Sequence, residues 1–384
     1  MSKKIILLGC YCGDENYELI RQYFKKNITV SNSEYEKALF KGFLSNNFDV
    51  QMISAPSVGK YPFTCKKIRV SGFKKQERIL IANYLTFGPT LFSSKYRSMK
   101  KALKTITTNK QEDIVVVACE PHLPYLKLLK FAKNKLGCNT SLIVPDLPEN
   151  IKGSKSIAYR FLKRKLTNKI YKYSNNFADS FLFFTEAMKE KFDLRNKKYL
   201  VREGIIEKFD FSLASNSKTI CTYIGKTNEK NGIDLILKLA KEKSDVIFNI
   251  YGNGDMDKKI INSQLPNLYY HGFLNPNDID EKLKNSDILI SPRYLRDYTK
   301  YSFPSKILKY ISVGKPIVTF NLPCYPSSFE NILFYPKSCA FSDFVEAFER
   351  ASRCNLNNLS KEIKKCSSYL LAKNVSNDYY SILF

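Results

Sequence analysis

No stretch of this 384-residue chain approaches the ~18–20 unbroken apolar residues that a membrane-spanning helix requires, so no span is expected. The apolar run Ile5–Leu8 is too short for a signal-peptide core and has no small-residue cleavage site behind it; it reads as the first strand of a fold. Histidine occurs only twice. The ten cysteines are scattered singly apart from Cys10 and Cys12, with no CxxC pair and no Cys/His cluster, which argues against a zinc site and for a reducing cytoplasm. No DxD-type metal motif is evident. The first strand leads only to Gly9 and Gly13, not to the glycine fingerprint of a dinucleotide-binding dehydrogenase or epimerase. No helix-turn-helix, zinc-finger or RNP-like motif is present, and there is no internal repeat or low-complexity linker.

What the chain has in excess is positive charge. Its formal net charge is +26. Residues 1–200 carry 37 Lys+Arg against 16 Asp+Glu, a net of +21, whereas residues 201–384 carry 25 against 20, a net of +5. The N-terminal half is therefore the part suited to a phosphate-rich polymer or an anionic membrane surface.

The length suits two domains. Short β-branched runs alternate with helical segments from Lys4 to Val144, and the same rhythm restarts at Thr219 and continues to Phe320, so each half predicts a parallel, doubly wound α/β sheet. The stretch around Gly204 has no strong helical period and predicts the boundary: a domain over 1–203, a second over 204–365, and a terminal helix over 366–384 that packs back on the first.

The strongest candidate site is YTKYSFPSKILKYISVGKP, Tyr298–Pro316. Thr299, Lys300, Ser302 and Ser305 lead into a helix beginning at about Pro304–Lys306, where proline suits the first turn. Free N–H groups at a helix start, two hydroxyls and two lysines suit a diphosphate, although a capped surface helix with solvated lysines would look the same.

This segment resembles the donor loop of family-4-like (group 1) glycosyltransferases of the bacterial capsule and exopolysaccharide type, which reads close to YTKYSFPSKxxEYxxxGxP. SDILISPR, Ser286–Arg293, is similar to the strand before that loop. YIGKTNEKNGIDLIL, Tyr223–Leu237, resembles the first strand and glycine loop of the donor domain, and IYGNGDMD, Ile250–Asp257, the turn that supports the nucleotide. VPDLPEN, Val144–Asn150, FFTEAMKEKF, Phe183–Phe192, and VREGIIE, Val201–Glu207, complete a likeness covering about residues 140–384.

The resemblance implies a GT-B fold, with two Rossmann-like domains facing across a cleft. It implies a retaining, metal-independent transfer from a nucleotide-diphosphate sugar, with no tightly bound cofactor, to a glycan or polyprenyl-diphosphate-linked acceptor in surface polysaccharide synthesis. Donor-binding candidates are Gly225, Lys226, Lys230, Gly252, Asn253, Arg293, Thr299, Lys300, Tyr301, Ser302, Ser305, Lys306 and Lys309. Breaking the anomeric C–O bond builds negative charge on the departing diphosphate, which assigns its neutralisation to Lys226, Lys300 and Lys306. One position departs from the pattern. Relatives carry Glu where Lys309 stands, and that Glu commonly holds the ribose hydroxyls, which a lysine cannot do. The nucleoside is then held differently, activity is weakened, or Lys309 adds a phosphate contact.

On the acceptor side Glu120, His122, Asp146 and Glu149 follow predicted strands, where open α/β sheets bind ligands. His122 and Asp146 join Lys306 as the catalytic candidates. His271 reads as structural.

Between Ile151 and Ala178 stand Lys152, Lys155, Arg160, Lys163, Arg164, Lys165, Lys169 and Lys172, with no acidic residue. Ile157, Phe161, Leu162, Leu166, Ile170 and Tyr173 fall on one helical face, which predicts an interfacial helix whose Lys152–Lys172 stretch meets an anionic membrane. The acid-free run Lys95–Lys110 adds to it. The expected location is cytoplasmic, peripheral at the inner face of the cell membrane. Two rival functions remain: a catalytically weak GT-B subunit serving a partner transferase, and a nucleic-acid-binding protein, which the missing motifs disfavour.

Overall fold

The structure is a computed structural model describing residues 3–25, 31–88, 90–107, 113–150, 157–213, 216–275 and 278–384. The chain forms two compact units, Met1–Ile205 with Ala372–Phe384, and Ile206–Leu371.

The first unit contains β1 (Lys4–Gly9), β2 (Asp49–Ser54), β3 (Arg69–Val70), β4 (Ile79–Ile81), β5 (Tyr84–Leu85), β6 (Ile114–Ala118), β7 (Asn139–Val144), β8 (Ser180–Phe183) and β9 (Lys198–Val201). Seven of them form a parallel sheet in the order β4-β2-β1-β6-β7-β8-β9, while β3 and β5 pair antiparallel. The runs IILL of β1 and IVVV of β6 are buried throughout, the pattern of central strands covered on both faces. Helices α1 (Tyr17–Arg21), α2 (Ser31–Ser45), α3 (Leu91–Ile106), α4 (Leu123–Phe131) and α5 (Ile157–Phe177) belong to this unit.

The second unit contains β10 (Ile220–Ile224), β11 (Ile247–Tyr251), β12 (Leu268–Gly272), β13 (Ile288–Ser291) and β14 (Ile317–Thr319), a parallel sheet in the order β12-β11-β10-β13-β14. Its helices are α6 (Ile233–Glu242), α7 (Asp257–Asn262), α8 (Ile279–Lys284), α9 (Lys306–Val313), α10 (Phe341–Ser352) and α11 (Leu356–Ser367). The strand order reverses at β1 in one sheet and at β10 in the other. The C-terminal ends of these two strands, Gly9–Cys10 and Ile224–Gly225, are where an open α/β sheet opens a ligand crevice.

The chain closes with α12 (Ala372–Leu383), which returns to the first unit. Val375, Tyr379 and Leu383 are buried in one cluster with Leu39, Phe40 and Phe43 of α2, and Tyr380 stacks on Phe48 with ring centroids 3.9 Å apart. Two polar ties fix its register: Tyr379 Oη lies 2.7 Å from Ser141 Oγ on β7, and Arg202 donates to Asp378 at 2.6 Å. Residues 366–371 stay with the second unit, where Leu370 O accepts from Ile206 N at 2.8 Å, so the closing helix is shorter than the stretch expected from sequence.

Candidate functional site

In the second unit the site is built on bare backbone. Gly225 N donates to Tyr251 O at 2.9 Å and Gly252 N to Gly272 O at 2.6 Å, which ties together the ends of β10, β11 and β12. Gly252 has φ +135°, and a Cβ there would lie 1.7 Å from Gly225 O; only glycine fits. The turn that follows is braced by Asp257, which accepts from Gly254 N at 2.9 and 3.0 Å and from the Thr227 hydroxyl.

Two tyrosines position the loop after β10. Tyr223 donates to Lys226 O at 2.7 Å, and Tyr310 Oη of α9 accepts from Ile224 N at 2.9 Å, anchoring α9 to the strand end. Lys306 then projects onto this corner: its Nζ lies 4.0 Å from the Tyr223 ring centroid and 3.1 Å from the point a Gly225 Cβ would occupy. The ammonium is buried and has no hydrogen-bond partner. Burial, with a smaller repulsion from Arg293, lowers its pKa from 10.5 to about 7. A cation in this position lacks an anion.

The other donor candidates take different roles. Lys226, Lys230, Asn253 and Lys300 are exposed; Lys230 Nζ and the Arg293 guanidinium lie 5.7 and 5.5 Å from the Tyr298 ring, and Lys300 Nζ 4.9 Å from that of Tyr301. Arg293 donates to Ser302 O at 3.1 Å, holding the loop in front of α9, where Ser305 is the N-cap residue without a side-chain cap bond. Thr299 is buried and its hydroxyl donates to Arg296 O at 2.6 Å, closing the turn Asp297–Tyr301. Lys309 forms an ion pair with Asp280 of α8 at 2.5 Å. His271 lies 2.7 Å from Asn249 Oδ1 and stacks on Tyr251 with centroids 4.4 Å apart.

In the first unit, a buried ionisable cluster sits at the ends of β1 and β6. Glu36 of α2 accepts from Cys10 N at 2.6 Å and Tyr11 N at 2.8 Å, yet burial and the nearby Glu120 raise its pKa to about 8. Lys95 of α3 is buried, its ammonium 5.6 and 5.1 Å from the rings of Tyr84 and Tyr125; burial lowers its pKa against the pull of Glu120. His122 is the N-cap residue of α4, edge-on to Phe92 and Tyr125 at 5.3 and 5.2 Å. Its Nδ1 is buried without a partner, and burial, then Lys95, holds its pKa well below 6.5, so the ring is neutral at physiological pH.

Sequence reasoning placed Glu120 and His122 here but missed Glu36 and Lys95. Lys95 is also a correction: it belongs to an acid-free run expected to face an anionic membrane, and only 5% of it is exposed. Its position on α3, i−4 to the buried Met99, was the available signal. Asp146 is exposed just beyond β7. Glu149 is exposed and accepts from Tyr171 Oη at 2.9 and 2.7 Å, which ties its turn to α5.

The basic helix runs over Ile157–Phe177; Lys152 and Lys155 lie outside the described residues, as does the Ile157 side chain. Its apolar face is divided: Ile170 is buried, whereas Phe161 and Leu162 are 61% and 65% exposed. Toward its C-terminal end Lys169 and Lys172, with Lys130 of α4, line a groove of about 440 Å³ together with Asn168, Tyr173, Asn176 and Phe177. None of the three lysines has an ion-pair partner among the described residues, and Lys130 Nζ lies 5.9 and 5.4 Å from the rings of Tyr173 and Phe177. No helix among the described residues is long and apolar enough to cross a membrane, and no group of three or more His, Cys, Asp or Glu among them could hold a metal ion.

Residues 205–365 match the family described as "Glycosyl transferases group 1". The teichuronic acid biosynthesis glycosyltransferase TuaH of Bacillus subtilis (strain 168) is 27% identical over 148 residues, a match spanning 37% of this chain and 37% of that protein. Over 99% of both chains the fold is similar to that of S. aureus TarM, solved with fondaparinux, α-GlcNAc-glycerol and UDP (TM-score 0.62, 11% identity). It is also similar to sucrose-phosphate synthase from Thermosynechococcus elongatus, over 99% of each chain (TM-score 0.64, 11% identity). With two parallel sheets and a glycine-floored crevice in the second, the chain has the GT-B fold, and its residues 205–365 match the group 1 glycosyltransferases.

Proposed function

We propose that this protein transfers a sugar from a nucleotide-diphosphate donor to a glycan or lipid-linked oligosaccharide acceptor in the synthesis of a surface polysaccharide. The observation that carries the donor half is Lys306. A buried ammonium without a partner is held at a cost that is relieved by losing its proton or by gaining an anion, and a diphosphate is such an anion. Its position over Gly225, at the start of α9, is where a diphosphate finds both the helix N–H groups and the cation.

Cleavage of the anomeric C–O bond leaves its electron pair on the nucleoside diphosphate, so a cation held against that group stabilises the transition state more than the ground state. Lys306 supplies the dry contact, while Lys226, Lys300 and Arg293 supply solvated ones. In the first unit His122, neutral and with Nδ1 unsatisfied, is the group able to accept a proton from an acceptor hydroxyl. Asp146 and Glu120 are the carboxylates for acceptor hydroxyls. Retention of configuration follows from the family resemblance. The TuaH likeness supports a polymer of the teichuronic acid kind as the product.

The test is a panel of UDP-, ADP-, GDP- and dTDP-sugars assayed for binding, donor hydrolysis and transfer. At least one donor is expected to be used, and Lys306→Ala to lower kcat/KM by about tenfold or more, the loss of one charge-assisted contact. Use of no donor, or an indifferent Lys306→Ala, refutes the assignment.

Attachment to an anionic membrane is the second part of the proposal. Exposed Phe161 and Leu162 beside the cations of α5 combine the apolar and basic elements of an interfacial helix, and the Lys130–Lys169–Lys172 groove offers a phosphate headgroup three unpaired ammonium groups. On this reading the enzyme works at the inner face of the cell membrane, on a polyprenyl-diphosphate-linked acceptor.

A further inference from the structure

Lys309 stands one turn beyond Lys306 on α9, and its ammonium lies 2.5 Å from Asp280 Oδ1 on α8. That oxygen is buried, yet the Asp280 side chain as a whole is 51% exposed and that of Lys309 46%. The nearby carboxylate Asp210 is held by Lys284 at 2.5 Å, so the charge that Lys309 neutralises most directly is that of Asp280.

A nucleoside diphosphate brings two kinds of chemistry to its site. Its phosphates need cations and N–H donors; its ribose presents two hydroxyl donors, for which a carboxylate is the best acceptor because it only accepts. Residues three apart lie on the same side of a helix, and one helical turn, about 5 Å, is the length scale separating a diphosphate from the ribose it esterifies. With the phosphates at Lys306, a ribose lying toward the C-terminal end of α9 falls beside residue 309. A lysine there cannot accept the hydroxyls, but the carboxylate it carries can.

We infer that Asp280 receives the ribose hydroxyls of the donor nucleotide and that Lys309 is the positioning residue that holds it; this rests on the donor-site assignment above. One Asp280 oxygen serves the ammonium, and the carboxylate has lone pairs left for the hydroxyls. The pairing also removes an electrostatic conflict. An unneutralised carboxylate this close to a diphosphate would repel it, and the Lys309 charge cancels that repulsion.

The test is isothermal titration of the wild type, Asp280→Asn, and the exchanged double variant Asp280→Lys/Lys309→Glu with UDP and ADP, each beside its 2′-deoxy form. The wild type is expected to bind the ribonucleotide about tenfold more tightly than the deoxy form, the scale of a hydrogen bond to a charged acceptor. Asp280→Asn should weaken ribonucleotide binding and reduce that preference to less than threefold, and the exchanged variant, with its carboxylate on α9, should recover it. Asp280→Asn with unchanged affinity and preference overturns the inference alone. A wild type that binds neither nucleotide overturns the donor-site assignment and this inference with it. Unchanged thermal unfolding of Asp280→Asn separates loss of recognition from loss of fold.

Discussion

With the diphosphate at Lys306, as proposed, nucleotide binding becomes a proton-uptake reaction, because the buried ammonium has no hydrogen-bond partner in the free protein. In the free protein the group titrates at about 7 because burial disfavours its charged form. A bound diphosphate supplies the missing counter-charge and moves the pKa back toward the ordinary lysine range. Apparent affinity then falls by the factor by which the free enzyme loses the proton, which between pH 7 and pH 9 is about fiftyfold. The nucleotide does not contribute over this interval, since a terminal phosphate completes its ionisation near pH ~6. At pH 8 about 0.9 proton should be taken up per nucleotide bound, measurable by titration calorimetry in buffers of different ionisation enthalpy. The unfolded chain keeps this proton to higher pH than the folded one, so the stability of the nucleotide-free protein rises with pH between about 7 and 10.5, opposite in sign to the affinity. Lys306→Arg keeps a charge that does not titrate and should flatten the binding profile. A wild-type affinity that is constant from pH 7 to 9, with no proton uptake, would falsify the assignment of Lys306 as the diphosphate cation.

Two further outcomes follow from the first unit. The wild type should sediment with vesicles containing phosphatidylglycerol, less so in high salt and not with phosphatidylcholine alone. Each basic group near such a surface contributes about 1 kcal/mol, so Lys169→Glu/Lys172→Glu should weaken this at least tenfold, and unchanged sedimentation argues against the membrane site. Tyr379→Phe removes a buried hydroxyl that meets Ser141 and should cost about 1–2 kcal/mol in urea unfolding of the full chain; a neutral result shows that Ser141 is satisfied by Ser180 alone.

Much of the architecture was legible because central strands of parallel sheets are buried on both faces and spell continuous apolar runs rich in β-branched residues, as in Val115–Val117 and Ile288–Ile290. Strand β9 was not legible: at the sheet edge, KYLV is half exposed and carries no such run. Helix α3 was obscured by its lysines, although Lys95, Met99 and Leu103 mark its buried side at helical spacing. The candidate donor loop stood out because Lys300, Ser302, Ser305 and Lys306 fall within seven residues of one another. By contrast, Glu36, Lys95 and Glu120 come from three separate segments, and no spacing links them. Asp280 lies 29 residues before Lys309, so the lysine stood out as a departure and its partner did not.

Because α12 supplies Val375, Tyr379 and Leu383 to the core of the first unit, that unit is discontinuous along the chain. During synthesis the ribosome releases residues 206–371 as an uninterrupted segment, able to fold while the half that began first still lacks its last helix. The N-terminal unit is therefore the later to be finished. Truncation before Ala372 would leave α2 with an uncovered apolar face, and the damage would fall on the first unit while the second kept its own core.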